Sequence, residues 1–297
     1  MTGFLFAVIH LLSQGRDRRY IIHVPAHVAS PAALVVVFHG GSSTPESMEE
    51  VGGFDALSDR EGFIVAYPAG IERTWNDGRG TTEAAKAGVD DVAFVRQVVR
   101  DIEKYHIIDP NRIYASGPSN GGIFSNRLGC EAADLFAAIG PVIGTLASNL
   151  ASGCHPARPI AVVGIVGVDD PLMPFAGGGE GGPHHLGRGG RVEGVRATQQ
   201  MWARFDSCTK GPAIDALHKK TNDGTSVTRR TYSGCTAGTE VVWYEIEGGG
   251  HRWPPRLATR GEALAEKMFG KSSQNLDAAE SLWAFFKAHP AFSAAGK

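Results

Sequence analysis

"RIYASGPSNGG", Arg112 to Gly122, is the stretch that decides how this chain folds. Its centre, Gly117-Pro118-Ser119-Asn120-Gly121, is a G-x-S-x-G. With 39 glycines among 297 residues the five letters alone carry little weight; their flanks carry more. "RIYAS" is an apolar run that fits a strand, and "GGIFSNRLGCEAA" (Gly121–Ala133) has helical spacing directly after it. A serine between a strand and a helix is lifted on a sharp turn, and the helix N-terminus faces any negative charge that develops beside it. Glycine suits positions 117 and 121 because side chains there would collide across so tight a turn. Pro118 is an unusual letter here, yet proline drives the preceding residue to extended geometry, which is what Gly117 needs at a strand end.

The same alternation extends both ways along the chain. "RRYIIHVP" (Arg18–Pro25), "ALVVVFHGG" (Ala33–Gly41), "FIVAYP" (Phe63–Pro68), "FAAIGPVIG", "PIAVVGIVG", Val227–Tyr232 and Val241–Ile246 read as strands. Between them, Glu49–Gly62, Asp90–Tyr105, Val195–Phe205 and Leu276–Pro290 read as helices. The helix at Asp90 is the clearest, with Val92, Val95, Val98, Val99 and Ile102 on one face and two aspartates to cap its start. Continuous apolar strands separated by helices predict an α/β fold, a mostly parallel sheet covered on both faces. No internal repeat is visible, and residues 1–297 are expected to form one domain. "AGGGEGGPHHLGRGGR" (Ala176–Arg191) is expected to be an exposed or lid-like loop.

A 42% hydrophobic content, 20% charge and a net charge of −2 describe a globular chain with enough apolar residues for a large core, and speak against nucleic acid as a partner. "FLFAVIHLL" (Phe4–Leu12) is too short for a membrane span and lacks the basic flank and cleavage site of a signal peptide. It reads as a buried first strand, with residues 1–17 as an N-terminal extension or a trimmed signal remnant. Cys130, Cys154, Cys208 and Cys235 show no metal-binding spacing. Two disulfides are expected, Cys130 with Cys154 and Cys208 with Cys235, because each closes a short loop, and these imply an oxidising compartment.

A serine hydroxyl needs a base. His251, in "IEGGGHRWPP", follows the strand "VVWYEI" on a glycine-rich loop from which it could reach back over the sheet. The acid of such a set should follow a strand lying between serine and histidine. "IAVVGIVGVDDPLMPF" supplies Asp170, with Asp169 as the alternative. Two backbone N–H groups are needed to hold an oxyanion. Asn120, next to the serine, is one candidate; Gly41 or Ser42, in "FHGGSS" after an early strand, is the other.

Together "LVVVFHGG", "TWNDGRG", "DPNRIYASGPSNGG", "GVDDPLMPF" and "GGGHRWP" resemble the polyhydroxybutyrate depolymerase and feruloyl-esterase-like branch of the α/β-hydrolases, over most of the chain from about Arg18. The resemblance implies an α/β-hydrolase fold with Ser119 as nucleophile, Asp170 as acid and His251 as base. It also implies Trp75, Asn76 and Trp253 near the substrate cleft, and a secreted or periplasmic protein with paired cysteines. Two departures stand out: members more often carry a bulky apolar residue in place of Pro118, and a His-Gly-Thr-like run where this chain has "IVGVDD". The expected activity is hydrolysis of carboxylic esters by two-step acyl transfer, with no metal or organic cofactor. Hydroxyalkanoate or polyester oligomers and feruloyl or acetyl esters are the expected substrates. An acyltransferase, a peptidase or a non-catalytic polymer-binding protein are the other readings of the same fold.

Overall fold

The computed structural model describes residues 5–179, 181, 189–255 and 262–291. In chain order the strands are β1 (Leu5–Ser13), β2 (Arg16–Val24), β3 (Ala32–Val37), β4 (Ile64–Pro68), β5 (Ile108–Pro118), β6 (Ala138–Val142), β7 (Ala161–Gly167), β8 (Gly178–Gly179), β9 (Arg191–Val192), β10 (Lys210–Ala216), β11 (Ser226–Ser233) and β12 (Val241–Glu247). The helices are α1 (Pro45–Gly52), α2 (Phe54–Glu61), α3 (Glu83–Lys86), α4 (Asp91–Ile102), α5 (Asn120–Glu131), α6 (Ser148–Ala151), α7 (Val195–Phe205), α8 (Glu262–Phe269) and α9 (Ala278–Ala288).

All strands but β8 and β9 join one sheet, in the order β1-β2-β4-β3-β5-β6-β7-β12-β11-β10. Pairing is parallel from β4 to β12 and antiparallel at both ends. β3, β4, β6 and β7 are buried at every position, as a sheet covered on both faces requires. Period-two alternation divides them between two cores. Leu34 and Val36 pack with Phe94, Val95 and Val98 of α4 and Phe124 and Leu128 of α5. Ala33, Val35 and Val37 pack with Met48 of α1, Phe54 and Leu57 of α2, and Leu282, Trp283 and Phe286 of α9. No helix among the described residues is long and apolar enough to cross a membrane.

Both expected disulfides are present, Cys130–Cys154 and Cys208–Cys235.

Three local expectations are corrected. The helix expected over Glu49–Gly62 is two helices, because Gly53 takes φ 74°, a left-handed turn that caps α1 and starts α2. The first strand is not buried. β1 lies at the sheet edge with Val8 and Leu12 exposed, since only β2 pairs with it. The two aspartates at the start of α4 divide their roles: Asp90 caps the helix by accepting from the Ala93 N–H at 2.9 Å, whereas Asp91 turns inward to Arg18 (2.7 Å) and the Asn76 N–H (2.8 Å). Half of the glycine-rich stretch, with His184 and His185, lies outside the described residues. Its described ends meet where Gly178–Gly179 pairs with Arg191–Val192.

Candidate active site

β5 runs straight into α5 with a single residue, Ser119, between them. Ser119 takes φ 56° and ψ −120°, a strained conformation for a side-chain-bearing residue that costs of order 1–3 kcal/mol and persists only where its surroundings over-determine it. Close packing beneath the turn explains the glycines. A Cβ on Gly117 would stand 2.3 Å from the Phe38 carbonyl oxygen, and one on Gly121 2.6 Å from the same atom. Ser42 (φ 65°) and Ile143 (φ 43°) also hold positive φ, and both line the cleft above Ser119.

The sheet brings together residues far apart in sequence. The Ser119 Oγ hydroxyl donates to His251 Nε2 at 2.8 Å. The His251 Nδ1–H donates to Asp170 Oδ2 at 2.7 Å. Asp170 Oδ1 accepts from the N–H groups of Leu172 and Met173, both at 2.8 Å, so its carboxylate is fixed as an acceptor and the imidazole is held with Nδ1 protonated. Each member sits at the C-terminal end of a strand: Ser119 after β5, Asp170 after β7 and His251 after β12. The His251 loop is braced from α8, whose Phe269 carbonyl accepts the His251 backbone N–H. Asp169, the alternative acid, is exposed.

As the first residue of α5, Asn120 has a backbone N–H with no intrahelical partner. Gly41 turns at the end of the β3 loop, and its N–H has no partner among the described residues. Both line the cleft. The Ser42 N–H does not serve here, because it donates to the Arg73 carbonyl at 3.0 Å; of the Gly41–Ser42 pair, Gly41 is the candidate donor.

His39 anchors that loop. It is buried, its Nδ1–H donates to the Gly40 carbonyl (2.8 Å), and its Nε2 accepts the Gly70 N–H (3.0 Å). The bond from Gly70 needs an unprotonated Nε2 and so the neutral ring, and burial pushes the ring's pKa down to about 4. Unfolded, the ring titrates near 6.5. Between those values the unfolded chain binds a proton that the folded chain refuses, so stability falls as pH drops from about 6.5 to 4, by roughly 3 kcal/mol in all. Urea midpoints taken at pH 7 and pH 4.5 should therefore converge in His39→Gln relative to wild type. An undiminished difference would remove His39 as the cause.

The cleft has a volume of about 480 Å³. Beside Ser119 and His251, its apolar wall is Met48, Val51, Ile143, Leu172, Trp253 and Phe269. Trp253 is thus where it was expected. Trp75 is not: it is fully buried, stacked on Phe124, with its indole N–H donated to the His39 carbonyl. Asn76 is also outside the cleft, its side-chain amide donating to the Val89 carbonyl. Two features escaped the sequence reading. α8 brings Ala265 and Phe269, four residues apart on one helix face, into the cleft wall, a helical spacing that was available in the sequence. The salt bridge between Asp77 and Arg79 under the elbow announced itself by no pattern. Chemically, a hydroxyl bonded to an imidazole that a carboxylate orients, with two amides nearby, can take up an acyl group from an ester.

Comparison with known proteins bears on the family and the fold. The family model described as "Esterase PHB depolymerase" matches residues 19–158. NocK of Nocardia uniformis subsp. tsuyamanensis, whose name assigns it esterase activity only provisionally, is 32% identical over 247 residues, covering 81% of this chain and 72% of NocK. Feruloyl esterase B of Piromyces equi is 32% identical over 247 residues, 79% of this chain but only 42% of that longer enzyme. Among solved structures, the acetyl xylan esterase from Aspergillus awamori superposes with a TM-score of 0.59 at 17% identity, over 88% of this chain and 98% of that one. At that identity the likeness is one of fold, the α/β-hydrolase fold.

Proposed function

The chain belongs to the PHB depolymerase family of esterases, and on that premise we propose that it hydrolyses carboxylic esters through Ser119, His251 and Asp170. The observation that carries this reading is the unbroken bond chain from Ser119 Oγ through His251 to Asp170 at the floor of a cleft. Ser119 Oγ attacks the ester carbonyl carbon and its proton passes to His251 Nε2. Asp170 holds the imidazolium in place. The carbonyl oxygen, now an anion, takes hydrogen bonds from the Asn120 and Gly41 N–H groups. His251 returns the proton to the departing alcohol, and water then repeats the sequence on the acyl-enzyme.

The substrates we propose are esters with an acetyl, apolar or aromatic acyl group: feruloyl and acetyl esters, the classes that the relatives' names specify, or hydroxyalkanoate oligomers. The apolar wall of the cleft supports this breadth. Residues 1–297 are read as one catalytic domain, and the two disulfides support a secreted or periplasmic setting.

The test is hydrolysis of p-nitrophenyl esters from acetate to decanoate, and of methyl ferulate, with Ser119→Ala as the blank. Activity lost with Ser119 supports the reading, and the profile then selects the acyl class; equal activity in the blank rejects it. Phe269, half-buried on α8, should contribute to that selection. Phe269→Ala is expected to raise KM for ferulate or decanoate about tenfold, the worth of one lost apolar contact surface of ~1.4 kcal/mol, and to leave KM for acetate near its wild-type value. A uniform change across the series would place Phe269 away from the acyl group.

A further inference from the structure

Among the buried charge pairs that the proposed reaction does not use, one reaches the elbow. Asp77 and Arg79 lie in "TWNDGRG", and their side chains are fully inaccessible. Asp77 Oδ2 accepts from Arg79 Nε (2.9 Å) and Nη2 (2.7 Å), and its Oδ1 accepts from the Arg79 backbone N–H (3.0 Å). One more donor reaches Asp77 Oδ2, the side-chain amide of Asn120, at 2.6 Å. That amide is clamped on its other sides as well. Its Oδ1 accepts the Trp75 N–H at 2.8 Å, and its Nδ2 also approaches the Trp75 carbonyl at 3.2 Å. Beyond the pair, Arg79 Nη1 donates to the Gly189 carbonyl at 3.0 Å, at the described end of the glycine-rich stretch, where Thr81 Oγ1 donates too.

A buried ion pair seldom adds net stability, because desolvation offsets the attraction. What this pair does add is direction. Asn120 follows the strained Ser119 and opens α5, so rotation of its peptide unit would relax the turn and swing its N–H away from the cleft. A carboxamide held by three hydrogen-bonding contacts to Trp75 and Asp77 prevents that rotation.

We propose that the Asp77–Arg79 pair is a positioning device for the reaction: it fixes the Asn120 carboxamide, and through it the Asn120 backbone N–H, where the oxyanion forms. This rests on the esterase reading above. Neither residue touches the substrate; both act through Asn120.

The experiment follows the reaction of Ser119 with a p-nitrophenyl alkylphosphonate, which needs no knowledge of the natural ester. The Oγ–P bond forms, the P–O bond to nitrophenolate breaks, and the hydroxyl proton passes to His251 Nε2. Rates are measured for wild type, Asn120→Ala, Asp77→Asn and the double variant, each checked for native near-UV circular dichroism, alongside kcat and KM for p-nitrophenyl butyrate. Asn120→Ala and Asp77→Asn are each expected to lower the labelling rate and kcat by about 10- to 100-fold, the scale of one misplaced donor, with KM within about twofold. The double variant should be no slower than Asn120→Ala, since Asp77 acts through that residue. Where Asp77→Asn does not fold, Arg79→Lys, which keeps the charge and loses the fork on Oδ2, takes its place in the cycle. A folded Asn120→Ala labelled as fast as wild type, or losses that multiply in the double variant, would overturn the proposal alone. A wild-type chain not labelled at Ser119 would overturn the esterase reading and this proposal with it.

Discussion

Ser119→Ala is expected to lower kcat by about 10⁶-fold, the loss seen when the nucleophile leaves a serine–histidine–aspartate set. The geometry gives the reason. Ser119 Oγ is the atom that His251 Nε2 faces, at 2.8 Å, at the cleft. Without Oγ, no acyl-enzyme forms. What is left is attack by water on an ester polarised by the Asn120 and Gly41 amides, a residual of roughly 10³–10⁴ over the uncatalysed rate. Stability should hardly change, because among the described residues Oγ bonds to His251 alone and alanine inherits the same backbone strain. The pre-steady-state burst of nitrophenolate from p-nitrophenyl acetate is the measurement. Its disappearance with an unchanged melting temperature is the expected result; a burst that survives would move the nucleophile elsewhere.

Why this serine could be found from the sequence, and other features could not, follows from how each is made. The parallel strands were legible because burial on both faces leaves unbroken apolar runs such as "LVVVF" and "IAVVGIVG". The order serine, acid, histidine was legible because a doubly covered sheet places strand ends side by side at one edge. β1 was misread for the converse reason. Its apolar letters look buried, but a strand at the sheet edge has a neighbour on one side only, and Leu12 ends 73% exposed. Trp75 was placed near the cleft by the family resemblance; the indole N–H instead finds the His39 carbonyl inside the core. The Ser42 N–H, a candidate oxyanion donor in the sequence, is taken by the Arg73 carbonyl, and no sequence pattern encodes where one N–H points. The choice between Asp169 and Asp170 was undecidable from adjacent identical letters. In the turn after β7, Asp169 is exposed while Asp170 is buried with its Oδ2 on the His251 Nδ1–H.

That choice is open to direct experiment. Asp170→Asn is expected to reduce kcat by about 10⁴-fold, while Asp169→Asn stays within about twofold of wild type. Asparagine preserves the size of the side chain, so the loss is one of chemistry. With Asp170, both carboxylate oxygens accept: Oδ1 from Leu172 and Met173, and Oδ2 from His251 Nδ1–H. An asparagine carboxamide has one oxygen, and the two backbone N–H groups claim it. Its NH₂ then faces His251, where it donates to Nδ1 and forces the ring proton to Nε2. A protonated Nε2 cannot accept from Ser119 Oγ, so the base is lost although every atom remains in place. Asp169 is exposed and its backbone N–H, not its carboxylate, is what the fold uses, donating to the Gly249 carbonyl at 3.0 Å; asparagine keeps that bond. Since KM reports binding that does not depend on the tautomer, the Asp170→Asn loss should fall almost entirely on kcat. Equal losses in the two variants, or the larger one in Asp169→Asn, would return the acid to the neighbouring position.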